Sequence, residues 1–259
     1  METGSARAFI AMGPDLTRLL DEWPFEPGKL NVRLIEGQDG EPRIQIRLDL
    51  GILQMYADGR PDGVRPEGFD SLLEFHEARI DEARTENKKI ALTPEECQAL
   101  RDEAVQYYHR YMALLVLEDF EGVVRDTTRN LRVLDLCAQH AATEADRTLL
   151  EQFRAYITMM RARAMAGQAI KDNEPKAAIH AIDEGLEALR RHFADQDEPE
   201  GFEQSSEVQM LRGMREALVP KLPVSQTSEL KARLADALER ENYELAAILR
   251  DELKLIKDQ

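Results

Sequence analysis

Positive charge is scarce in this chain. Its 259 residues carry 34 Lys and Arg against 50 Asp and Glu, a formal net charge of −16. A surface that must neutralise phosphates needs the opposite sign, so direct nucleic-acid binding is disfavoured. Cysteine is almost absent: Cys97 and Cys137 stand far apart with no Cys-x-x-Cys anywhere. That argues against a zinc knuckle and for a reducing cytoplasm. No apolar run approaches the roughly 20 residues of a membrane span. The start, METGSARAFIAMGPDLTRLL, lacks a basic stretch followed by a long apolar one, so no signal peptide is expected.

Catalytic signatures are missing too. There is no Gly-x-Gly-x-x-Gly, no Walker loop and no Gly-x-Ser-x-Gly. A di-iron bundle needs Glu-x-x-His pairs, and none of the five histidines has a glutamate three residues earlier. We expect no catalytic residue, no metal and no cofactor.

What the chain does have is an ordinary apolar share, 43%, and a length that suits one large domain plus an appendage. Lys29 to Ile35 alternates like a strand, with Leu30, Val32 and Leu34 on one face; Ile44, Ile46 and Leu48 resume the alternation beyond Gly37-Gln38-Asp39-Gly40. This predicts a β-hairpin whose second strand runs on past a bulge at Gly51 to Met55. Its apolar face must pack on helices, because a lone hairpin is marginal in water. Ala57 to Gly68 is a Gly/Pro-rich loop.

Everything after that loop reads helical. Helices are predicted over Phe69 to about Asn87, from the capping box Thr93-Pro94-Glu95-Glu96, and near Glu121–His140, Glu144–Lys171, Lys176–Phe193 and Phe202–Val219. The junctions at Leu117–Val124 and Asp172–Ile179 look like those of tetratricopeptide repeats. They lie about 55 residues apart, well off the roughly 34-residue period of that repeat. Pro220 to Thr227 is the best linker.

Three constellations invite a chemical interpretation. Cys137 and His140 share a helix face at i and i+3, but no second pair completes a tetrahedron, so a half-buried cysteine and a helix-terminal histidine are favoured. Asp58, Asp62 and Asp70 fail the calcium-loop spacing and read as solvated turn residues. The loop they occupy is nevertheless where an enzyme of unrecognised type could work. Tyr107-Tyr108-His109-Arg110-Tyr111 mixes aromatic and basic residues as single-strand binders do; helix core with a snorkelling Arg110 is favoured.

The last stretch reads SELKARLADALERENYELAAILRDELKLIKDQ. Leu230, Leu234, Ala237, Glu241, Tyr243, Glu244, Ala246, Ala247, Leu249, Arg250, Asp251 and Leu253 carry a resemblance to the UVR motif. That helical hairpin ends the excision-repair subunit UvrB, lies within UvrC and occurs in regulators of Clp-type proteases. The resemblance implies a docking module without chemistry of its own and a bacterial host; the helicase and nuclease motifs of UvrB and UvrC are missing.

Read residue by residue, Leu230, Leu234, Ala237 and Leu238 form one helical stripe, and Ala246, Leu249, Leu253 and Ile256 a second that can close on it. Leu245, Ile248 and Leu255 are left over, too much apolar surface for so small a hairpin to cover. They predict a partner surface, with Tyr243 and Arg250 beside it. The occupant is another UVR-like hairpin, a second copy of this chain, or the chain's own helical body.

The expected fold is mostly α. Residues 1–92 form an α+β region with the β-hairpin, 93–219 a helical-hairpin, tetratricopeptide-like body, 220–227 a linker and 228–259 a two-helix UVR-like hairpin. The expected function is that of a cytoplasmic, non-enzymatic adaptor, with an accessory role in nucleotide excision repair, regulation of a Clp-type protease, or an enzyme built on Asp58–Asp70 as alternatives.

Overall fold

The computed structural model describes residues 15–218, together with Leu234, Ala235 and Arg250. The chain divides into two compact units, residues 1–212 and 213–259. The described part is mostly helical, with a small antiparallel sheet near its start.

A short helix, α1 (Thr17–Glu22), precedes the sheet and was not expected from the sequence. The sheet has three strands rather than two: β1 (Asn31–Glu36), β2 (Pro42–Leu48) and β3 (Gly51–Tyr56), in the order β1-β2-β3. The expected bulge at Gly51 is a chain reversal, with Leu48 paired to Gly51 across Asp49-Leu50. No Asn-Gly pair makes this turn. The Arg47 guanidinium closes it instead, donating to the carbonyls of Leu48, Asp49 and Gly51.

In this register Ile46 lies between Val32 and Leu53, and Ile44 between Leu34 and Met55. Ile44, Ile46 and Met55 are buried, and α3 (Pro94–Val116) packs on β2. The other face carries a polar ladder. Arg33 Nε donates to Gln45 Oε1 at 2.7 Å, and Gln45 Nε2 to Gln54 Oε1 at 2.7 Å, linking all three strands. Arg33 also stacks over the Trp23 ring at 4.1 Å, a favourable cation–π distance.

Helix α2 (Leu72–Thr85) starts at Ser71, whose Oγ accepts from the Glu74 amide. The capping box on α3 is complete: Thr93 Oγ1 accepts from the Glu96 amide at 3.2 Å, and Glu96 Oε2 from the Thr93 amide at 2.8 Å. After α4 (Phe120–His140), the expected single helix over Glu144–Lys171 is broken into α5 (Glu144–Thr148), a 3-10 turn at Glu151–Phe153 and α6 (Arg154–Lys171). The break lets Leu150 join the core beside Leu92, Leu134 and Ile157. Arg154 is held there by Glu151 and Asp135 at 2.6 and 2.8 Å.

Helix α7 (Pro175–Asp195) follows α6. The helix expected over Phe202–Val219 is likewise two, α8 (Pro199–Gln204) and α9 (Ser206–Leu218), because the Ser205 side chain restarts the chain as a cap on the Val208 amide at 3.3 Å.

Four helices end alike. At Asn87, Glu118, Asn173 and Asp197 the backbone turns left-handed, and the next amide bonds back six residues inclusive, as in Glu174 N to Ala169 O at 2.7 Å. These are Schellman ends, and they fold α3 onto α4 and α6 onto α7 with only three residues between. The junctions that look tetratricopeptide-like in sequence use this turn, which is common to helical hairpins in general. Between α6 and α7 the backbones nearly touch: a Cβ added at Gly185 would lie 2.4 Å from Ala162 Cβ. A parallel bridge not anticipated from the sequence, Leu92 N to His140 O at 2.7 Å and Ala142 N to Leu92 O at 2.9 Å, ties the entry to α3 to the exit of α4.

Candidate functional site

Helices α3 and α4 are joined through their polar residues as well as their apolar ones. Arg110, expected to snorkel, is instead 1% exposed and meets Asp126 through two bonds, Nε to Oδ2 at 2.7 Å and Nη2 to Oδ1 at 2.8 Å. A carboxylate reaching across from α4 keeps the guanidinium inside. The remaining Arg110 nitrogen, Nη1, donates to the carbonyls of Gly59 at 2.7 Å and Tyr56 at 3.1 Å. Helix α3 thus holds the start of the Gly/Pro loop.

Glu103, on the same helix and 1% exposed, holds the rest of it. Its carboxylate takes Arg60 Nε at 2.8 Å, the Leu72 amide at 2.9 Å, and Arg129 of α4. The Tyr107 ring packs against two of these cations, 4.8 Å from Arg110 and 4.2 Å from Arg129. Burial pushes the Tyr107 hydroxyl up to about 12.

Where the loop meets α4 there is a cleft of about 460 Å³, lined by Arg110, Arg125, Arg129 and Arg132 with Asp70, Glu74, Asp126 and Tyr107 among its other residues. Arg125 bonds Asp58 at 2.7 Å and Asp126 at 3.0 Å; Arg132 pairs with Glu77. Burial and the neighbouring cations Arg60 and Arg132 bring Arg129 down to about 9. Arg125, Arg129 and Arg132 match no motif in the sequence. Their spacing of four and three places them on one face of a helix, and that periodicity was the available signal.

The residues that were singled out fare differently. Asp58, Asp62 and Asp70 do not converge: they pair with Arg125, Arg60 (3.0 Å) and Arg65 (2.5 Å) respectively. Asp62 Oδ1 also accepts the Val64 amide at 2.9 Å, shaping the turn. No cluster of three or more metal-binding side chains occurs among the described residues. Cys137, expected to be half-buried, is fully buried in the core with Cys97, because both face the apolar cluster shared by α3 and α4. Burial first, then the Cys97 thiol, pushes Cys137 up to about 12, which makes it an inert thiol at neutral pH.

Tyr243, Leu245, Ile248 and Leu255 lie outside the described residues, whereas Arg250 is helical and exposed. For this end of the chain, comparison with known families decides what the segment is. Residues 225–259 match the UvrB/uvrC motif. The UVR match thus begins at Ser225, inside the segment expected to be linker. Nothing among curated proteins or solved structures matches the chain. Among the described residues, no helix is long and apolar enough to cross a membrane.

Proposed function

We propose that this chain is a non-enzymatic adaptor of the bacterial cytoplasm that docks a protein partner through its C-terminal UVR motif. The observation that carries the proposal is the match over residues 225–259. The residue pattern supports it, because Leu245, Ile248 and Leu255 form an apolar stripe beyond what the hairpin's own core can absorb. Burying each would contribute roughly 1.5–3 kcal/mol as an upper value. Tyr243 and Arg250 flank the stripe, and the complementary surface is another UVR-like hairpin, on a different protein or on a second copy of this chain. The Pro220–Thr227 segment would raise the local concentration of the tethered motif.

A non-catalytic role is supported by the fate of the candidate acids. An enzyme on the Asp58–Asp70 loop would need convergent carboxylates, and Asp58, Asp62 and Asp70 instead pair separately with Arg125, Arg60 and Arg65.

Full-length chain should capture a discrete partner, or itself, and both the chain lacking residues 225–259 and the Leu245→Asp/Ile248→Asp variant should lose that capture while keeping the thermal unfolding of the remaining body. Unchanged capture by the variants would refute docking through the motif. The resemblance to a motif of UvrB and UvrC raises a partner in excision repair: deletion of the gene should then sensitise cells to ultraviolet light, and normal sensitivity would exclude that partner.

A further inference from the structure

The cleft between the Gly/Pro loop and α4 gathers arginines in an otherwise acidic chain. Four guanidinium groups and three carboxylates line it, in a protein of net charge −16. Arg125, Thr128, Arg129 and Arg132 follow one another at i, i+3, i+4 and i+7, one face of α4 running for about 10 Å.

The two ends of this row differ from its middle. Arg125 and Arg132 are about half exposed; Asp58 is on the surface and Glu77 is 30% exposed, so both pairs are open to solvent and competing anions, while Arg125 keeps a second bond of 3.0 Å to buried Asp126. Arg129 between them is 8% exposed and shares one carboxylate, Glu103, with Arg60. Its Nε is buried without a hydrogen-bond partner. A buried cation with a half share of a counter-charge and an unspent N–H is an unfinished arrangement, and a negative charge arriving in the cleft completes it. The lowered pKa of Arg129, driven by burial and by Arg60 and Arg132, reports the same shortage while leaving the group charged at neutral pH.

A carboxylate matches a single guanidinium fork. A phosphoryl group carries close to two charges and three acceptor oxygens, which suits two exposed arginines with a third cation beneath them. A volume of about 460 Å³ is that of a small-molecule site. We propose that this cleft binds a small phosphomonoester, its phosphoryl group taken by Arg125 and Arg132 over the charge of Arg129, and its hydroxyl- or amino-bearing body beside Asp70 and Glu74 at the start of α2. Occupancy would draw Arg125 away from Asp58 and so couple the ligand to the loop that Arg110 and Glu103 hold in place.

The test is calorimetric titration of the full chain, at constant ionic strength set with chloride, with inorganic phosphate, glucose 6-phosphate and glucose. Both phosphates should bind saturably at one site, glucose 6-phosphate the more tightly, and glucose not at all. Arg125→Gln and Arg132→Gln should each weaken phosphate binding about tenfold or more, as loss of one charge-assisted contact does, with the unfolding transition in chloride buffer recorded for both and Arg132→Gln, which touches no buried carboxylate, as the decisive variant. Absence of saturable phosphate binding, binding unaltered in both variants, or a response reproduced by added chloride would overturn the proposal. Binding of a short oligoglutamate peptide without binding of either phosphate would overturn it in favour of an acidic-peptide site.

Discussion

Arg110 and Asp126 face each other through two hydrogen bonds of 2.7 and 2.8 Å, each side chain 1% exposed. Bidentate geometry of this kind partly repays the desolvation of both ions. What it secures beyond stability is position, because Arg110 Nη1 spends its remaining capacity on the carbonyls of Tyr56 and Gly59. One side chain thereby registers α3, α4 and the end of the sheet against one another.

Arg110→Met should therefore cost about 3–5 kcal/mol, the usual penalty for stranding one partner of a buried pair. Among the described residues, Arg125 is then the cation left on Asp126, and it is half exposed. Replacing both members, Arg110→Met with Asp126→Leu, should recover most of the loss, since no charge then remains buried. Urea unfolding of the two variants measures both values. A single-variant loss below about 1 kcal/mol would mean that the pair behaves like a surface contact.

Legibility in the sequence follows the range of the interaction. The Thr93–Glu96 box is a dialogue between residues three apart, and it forms as the spelling predicts. The alternation of Val32, Leu34, Ile44 and Ile46 likewise survives as one sheet face. The third strand was hidden because its turn is closed by the Arg47 side chain rather than by turn residues. Arg110 was misplaced because its partner lies 16 residues away on another helix, and nothing local distinguishes a snorkelling arginine from a buried one. The cleft was invisible for the same reason, although the row Arg125, Arg129, Arg132 could have been found by counting threes and fours.

Gly185 offers a test of packing in which propensity and sterics disagree. Alanine exceeds glycine in a helix interior by about 1 kcal/mol. At position 185, however, the new methyl would sit 2.4 Å from Ala162 Cβ and 3.2 Å from Leu211 Cδ1. The contact is between short side chains on two backbones, so relief requires α6 and α7 to separate. Gly185→Ala should destabilise by about 1–3 kcal/mol despite its better propensity. Gly213→Ala on α9, with no atom within 4 Å of the added carbon, is the control and should be neutral or stabilising. Equal effects at the two sites in thermal unfolding would remove the close approach as the reason for glycine at 185.

Acid should weaken the fold before its carboxylates titrate. His76 is 2% exposed, its Nδ1 has no hydrogen-bond partner, and Phe75 packs on it at 5.0 Å. Burial first, then the Arg79 cation, lowers its pKa from 6.5, with Glu96 opposing. The native imidazole therefore stays neutral while the unfolded one takes a proton as pH falls below about 6.5, so the unfolded state binds more protons and stability drops. His109 and His192 are lowered by burial as well and act with the same sign. Glu96, held down by its bond from Arg79, adds a separate loss that starts only near its unfolded value of 4.5. Between pH 6.5 and 5 the urea midpoint should fall, each histidine contributing at most about 1.4 kcal/mol per pH unit. His76→Gln should flatten this slope while leaving the decline below pH 4.5 in place. An unchanged slope in that variant would show that His76 is protonated in the folded chain.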